Sequence, residues 1–198
     1  MNVTVDKKVY ILNKNLQEMS DVNDTAVKEI SGYSSNSVQI SYKNEDIEKA
    51  VLRIRDMKIE RAVTEITNLI SKDEYIDGEI SSSEKYMEEA YRSDDFDCVK
   101  EALMKVYTKY YSDSDTVSGI LMMISRVPYD SVDPQGTLMA LGLLTHKDLE
   151  VRDKAIQCFE RWNSKKGLGI LKNIECSPKW LQDYAEKVIE YIEEEGID

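Results

Sequence analysis

His146 is the only histidine among the 198 residues, and it stands between Thr145 and Lys147-Asp148. An imidazole beside a carboxylate could begin a general-base pair, but it would need a nucleophile or a second ligand at a defined spacing. None is present. No second imidazole is available for a metal, and Cys98, Cys158 and Cys176 form no CxxC pair. A Gly-rich phosphate loop, a GxSxG elbow and an HExxH helix are likewise missing from the sequence. The 38 Asp and Glu residues offer carboxylate pairs everywhere, so no single pair is specified. No catalytic residue, cofactor site or metal site is therefore expected. His146 itself is expected to be a solvated turn residue, and Cys158 a small filler of a core face.

One segment does carry recognition chemistry. Residues 73–97 hold ten acids against Lys85 and Arg92, a net of −8 within a chain of net charge −12. Tyr86, Tyr91 and Phe96 are interleaved with them. Carboxylates steer and pair with a basic partner, and tyrosines supply rigid contact area. The candidate partner-binding residues are Glu84, Tyr86, Glu88, Glu89, Tyr91, Asp94, Asp95 and Asp97. The charge disfavours nucleic acid, and none is expected as a direct partner, since binding phosphate requires clustered Lys and Arg. No apolar run is long enough to span a bilayer. Met1 to Asp6 lacks the basic start and apolar core of a signal peptide, and a cytoplasmic location is expected.

The elements that would position such a segment follow from periodicity. Residues 135–164 and 165–194 coincide at an offset of thirty (181 minus 151). Val151, Ala155, Cys158, Phe159 and Trp162 fall on Leu181, Ala185, Val188, Ile189 and Ile192, at the spacing of one helix face. Leu138, Leu141 and Leu144 fall on Leu168, Leu171 and Ile174, giving each unit a short helix, a turn and a longer helix. At an offset of thirty-four a degenerate unit over about 100–133 joins them. There Met104, Tyr107 and Tyr110 precede Val117, Leu121 and Ile124. Upstream, the spacing predicts a long helix from Asn44 to about Ser71. Its Arg53, Arg55, Lys58 and Arg61 are balanced by acids and form a solvated face. A capping box (Ser81 with Glu84) opens a helix to about Arg92, and another runs from Cys98 to about Tyr111. Glu193 to Glu195 oppose the dipole of the last helix, whose end is expected to fray.

The first forty-odd residues read differently. Val3, Val5, Val9 and Ile11 suggest two short strands, Asp21 to Ile30 a helix, and Ser37 to Tyr42 a third strand. The division expected is a small N-terminal β/α element over 1–44 and a helical domain over 45–198.

The stretch from Thr145 to Trp162, with Val151-Arg152-Asp153 opening its helix and Ala155 one turn on, resembles the second half of a HEAT-type helical repeat. The resemblance implies a mainly α fold, a HEAT-like α-solenoid of stacked helix pairs. Its thirty-residue period is similar to the compact HEAT-like repeats of bacterial proteins. Size, acidity and missing catalytic groups resemble bacterial toxin-immunity proteins. That implies a non-enzymatic inhibitor covering the active or nucleic-acid-binding surface of a basic, nuclease-type toxin. The alternatives are a HEAT-like scaffold or adaptor in a larger assembly and, third, a HEAT-like lyase-type enzyme.

Overall fold

The computed structural model describes residues 44–74 and 78–198. The strands expected around Val3 to Ile11 and Ser37 to Tyr42, and the helix from Asp21 to Ile30, lie outside the described residues. The chain divides into two compact units, Met1–Met57 and Lys58–Asp198. Helix α1 (Asn44–Ile70) begins in the first and ends in the second. In the second unit follow α2 (Ser82–Tyr91), α3 (Phe96–Lys109), α4 (Ser114–Ile124), α5 (Tyr129–Val132), α6 (Gln135–Leu143), α7 (Leu149–Trp162), α8 (Lys165–Leu171) and α9 (Lys179–Glu195). The fold is mainly α, and no strand occurs among the described residues.

Local chemistry explains the boundaries. No Gly or Pro interrupts α1, whose Ile59, Ala62, Ile66 and Ile70 are buried. The predicted capping box at α2 is formed. Ser81 Oγ accepts from Glu84 N–H at 3.2 Å, and Ser81 N–H donates to Glu84 Oε2 at 3.0 Å. Asp73 adds a second cap, accepting from the N–H groups of Ser82 and Ser83 at 3.0 and 2.9 Å. Asp113 caps α4 and Asp148 caps α7. Asn163, with φ of 44°, ends α7 in the left-handed region that asparagine tolerates.

Helices α4, α7 and α9 pack side by side in that order, and α3, α6 and α8 lie against them as partners. Their buried stripes keep the predicted register. Val117, Leu121 and Ile124 match Val151, Ala155 and Cys158, which match Leu181, Ala185 and Val188, and all nine are buried. The rows run parallel because the same ends meet. On one side Cys158 Sγ–H donates to the carbonyl of Leu121 and Trp162 Nε1–H to that of Ile124. On the other, Arg152 reaches the carbonyl of Ser177 and Asn163 that of Glu195.

The first helices of the units depart from the expectation. Leu138 is 59% exposed, and the buried residues of α6 include Gly136, Thr137 and Ala140. These match Ala102, Leu103 and Val106 of α3 at thirty-four, while Gly136 and Ala140 match Gly167 and Leu171 at thirty-one (167 minus 136). Helix α6 is apolar nearly all round, so its sequence does not say which stripe faces inward. Close approach decides it: a Cβ on Gly136 would lie 2.8 Å from Val132 Cβ. Helix α9 continues to Glu195, and Ile197 is held by backbone bonds to Asn163 and Lys165 at 2.8 and 2.9 Å.

Candidate functional site

The structure draws much of the acidic segment inward. Glu84 is 3% exposed. One of its oxygens completes the capping box, and the other lies 3.9 Å from Arg126 Nε and 3.8 Å from Arg161 Nη1. Glu88 pairs with Arg126, Asp95 with Lys58 at 2.7 Å, and Asp97 with Lys100 at 2.9 Å. Reversing Glu88 or Asp95 would therefore disturb helix packing as well as any partner. Burial opposes ionisation of Asp73, but hydrogen bonds from Ser83, Ser82 and Ser81 hold its carboxyl below the ordinary value. Tyr86 packs against the core, where burial pushes its hydroxyl up. Tyr91 is 42% exposed and meets Phe96 edge-on at 5.4 Å. Glu89, Asp94 and Asp97 stay on the surface.

A cavity of about 440 Å³ opens beside this cluster, a volume within the range of ligand pockets. Its walls come from residues 78–80, from Glu84 on α2, and from Met122 and Arg126 at the end of α4. One stripe of α7 closes it: Glu150, Asp153, Lys154, Gln157 and Arg161. Lys154 pairs with Glu150, Gln157 donates to Asp153 at 2.7 Å, and Arg161 donates to Ser125 Oγ at 3.2 Å. Burial pushes the Asp153 carboxyl up. The lining carries both signs, and its charges are largely answered within the wall. It suits polar recognition, and the described lining residues include no Ser, Thr, Cys or His.

The same stripe recurs on α9 with different chemistry. At the offset of thirty, Glu150, Lys154, Gln157 and Arg161 fall on Trp180, Tyr184, Lys187 and Tyr191. Trp180 is 50% exposed and Tyr191 45%. Tyr184 is half-buried, with its hydroxyl on Glu160 at 2.5 Å; burial and that carboxylate raise its pKa. Sequence reasoning passed over this stripe because it sought the buried face. The signal was there, as aromatics at i, i+4 and i+11 beside the apolar stripe of α9.

His146 overturns its expectation. It is 3% exposed, accepts from Asp148 N–H at Nδ1 (3.2 Å), and faces the carbonyl of Tyr111 through Nε2 at 3.1 Å. A backbone donor on one nitrogen and an acceptor on the other require the tautomer protonated on Nε2. The ring ties the turn before α4 to the cap of α7, and neighbouring Tyr111 packs edge-on at 5.7 Å. Position in the sequence marked a turn, but only packing made it an internal one. Cys158 is buried as expected.

Among the described residues no group of three or more His, Cys, Asp or Glu side chains could hold a metal ion, and no helix is long and apolar enough to cross a membrane. Comparison of the chain with protein-family models, with curated proteins and with solved structures found no match.

Proposed function

We propose that the chain is a non-enzymatic protein-binding module built as a HEAT-like solenoid. Its role is that of an acidic inhibitor of the immunity type, covering the active or nucleic-acid-binding surface of a basic, nuclease-type toxin. The observation that carries this reading is the row of parallel helices α4, α7 and α9 in one buried register, on a chain of net charge −12. Such a row leaves one face of each successive helix in line, a continuous surface suited to a macromolecule. Its acidity favours fast encounter with a basic one. Among the candidate residues within 73–97, Glu89, Tyr91, Asp94 and Asp97 are the exposed contributors.

The test is affinity capture with the tagged full chain in the cell that encodes it, at about 0.15 M salt, where screening acts beyond about 8 Å. An inhibitor recovers one tight basic protein whose enzymatic activity falls to zero at a one-to-one ratio. Recovery of several weaker partners with no dominant basic one would favour the scaffold reading and refute the inhibitor.

A further inference from the structure

We propose that the stripe of α9 formed by exposed Trp180 and Tyr191, with half-buried Tyr184 between them, is a docking surface for an arginine-bearing segment of a basic protein. This rests on the basic-partner reading above but on a different part of the chain from residues 73–97. Single exposed aromatics are unremarkable, whereas two on one stripe of one helix, with a half-buried third between them, make a continuous aromatic strip. A tryptophan exposed over half its surface leaves much apolar area in water, and here a second aromatic lies three turns along at the same angle. The stripe stands at the register of the α7 residues that wall the cavity, so α7 and α9 present it side by side.

Charge selects the occupant. Helix α9 carries Asp183, Glu186, Glu190, Glu193, Glu194 and Glu195 against Lys179 and Lys187, a net of −4 (two minus six). Glu194 and Glu195 are i+3 and i+4 from Tyr191 and flank its ring, while Asp183, i+3 from Trp180, is paired with Lys179 at 2.7 Å, so the carboxylates at the Tyr191 end are the ones offered to a cation. A second copy would bring the same acids against themselves. A guanidinium satisfies both halves of the surface: its plane stacks on an aromatic face while its edge donates to a carboxylate. An ammonium can also sit over a ring, but as a compact, strongly hydrated point charge it lacks the plane and edge that meet ring and carboxylate together, which is why arginine is preferred to lysine.

The chain contains two tryptophans, of which Trp162 is 5% exposed and Trp180 50%. Emission from the exposed ring therefore reports on the stripe. The experiment titrates the full chain with a nine-residue arginine peptide and, separately, with its lysine counterpart at about 0.05 M salt. Expected are saturable quenching of the exposed tryptophan, tighter binding of the arginine peptide, and roughly tenfold or greater weakening in Tyr191→Ala and in Glu194→Lys/Glu195→Lys. In Trp180→Ala the quenching should vanish, and calorimetry should show similar weakening. Circular dichroism checks that each variant, altered at exposed positions, keeps its helix content. Arginine-peptide binding that is insensitive to these changes but lost in Glu89→Lys would overturn the α9 surface and leave the basic-partner reading standing. Equal affinity for the two peptides, no binding at all, or self-association of the chain abolished by Trp180→Ala would also overturn it. The affinity capture judges the basic-partner reading independently of these outcomes.

Discussion

Replacing Trp162 tests how neighbouring units are joined. Its indole is 5% exposed and meets Tyr129 and Phe159 edge-on at 5.4 and 5.5 Å. Its Nε1–H donates at 3.0 Å to the carbonyl of Ile124, the last residue of α4. Four residues after Ile124 stands Pro128, which has no N–H to offer that carbonyl. The indole thus satisfies a helix-end acceptor that the local sequence leaves open. Trp162→Ala should cost about 3 to 5 kcal/mol, as removal of a buried aromatic does. Trp162→Phe keeps most of the apolar contact but leaves the carbonyl unpaired, for about 1 to 3 kcal/mol. Against a total stability of about 5 to 15 kcal/mol, the first change is large. In a chain of this length it should lower Tm by on the order of 10 °C. Urea unfolding followed by circular dichroism measures both. Equal stability of the wild type and the Phe variant, with a loss below about 1 kcal/mol for Ala, would refute the bridging role.

Other expectations follow from the same geometry. His146→Ala should destabilise by about 1 to 3 kcal/mol for each backbone group it strands, read as loss of hydrogen-exchange protection at Asp148 and the start of α7. Asp73 and Asp113, whose caps accept backbone N–H groups, have carboxyls held below their ordinary values. Their contribution is present above the unfolded carboxylate range and is lost as pH falls through the folded values. Asp73→Asn with Asp113→Asn should therefore flatten the fall of the urea midpoint below about pH 4. Asp153 works in the opposite sense: burial raises its pKa, so acid favours its folded form, and Asp153→Asn should remove that gain. No saturable binding of a DNA duplex or single strand is expected in the low micromolar range at about 0.15 M salt. Observing it would contradict the role assigned to the net charge.

The helices themselves were legible because local chemistry determines them. Ser81 with Glu84, the caps at Asp113 and Asp148, and the i, i+4, i+7 stripes need only a few neighbouring residues to act. The buried stripes of α7 and α9 could be superposed from sequence for the same reason, since each has one apolar face; helix α4, buried around most of its circumference, took its register from the match to α7. Tertiary packing decided what periodicity left open. Helix α6 is apolar on nearly every side, and its packing against α3 and α7 turned one stripe inward and left Leu138 in solvent. Charge composition marks acids but not their partners. Glu84, Glu88 and Asp95 met cations from α1, from the turn after α4 and from α7 that lie 37 to 77 residues away in sequence (95 minus 58; 161 minus 84). His146 became an internal strut because packing brings Tyr111, distant in sequence, against a ring that already accepts from the nearby N–H of Asp148. A side chain's own spacing determines its helix face, but what that face meets depends on residues brought to it from elsewhere in the chain.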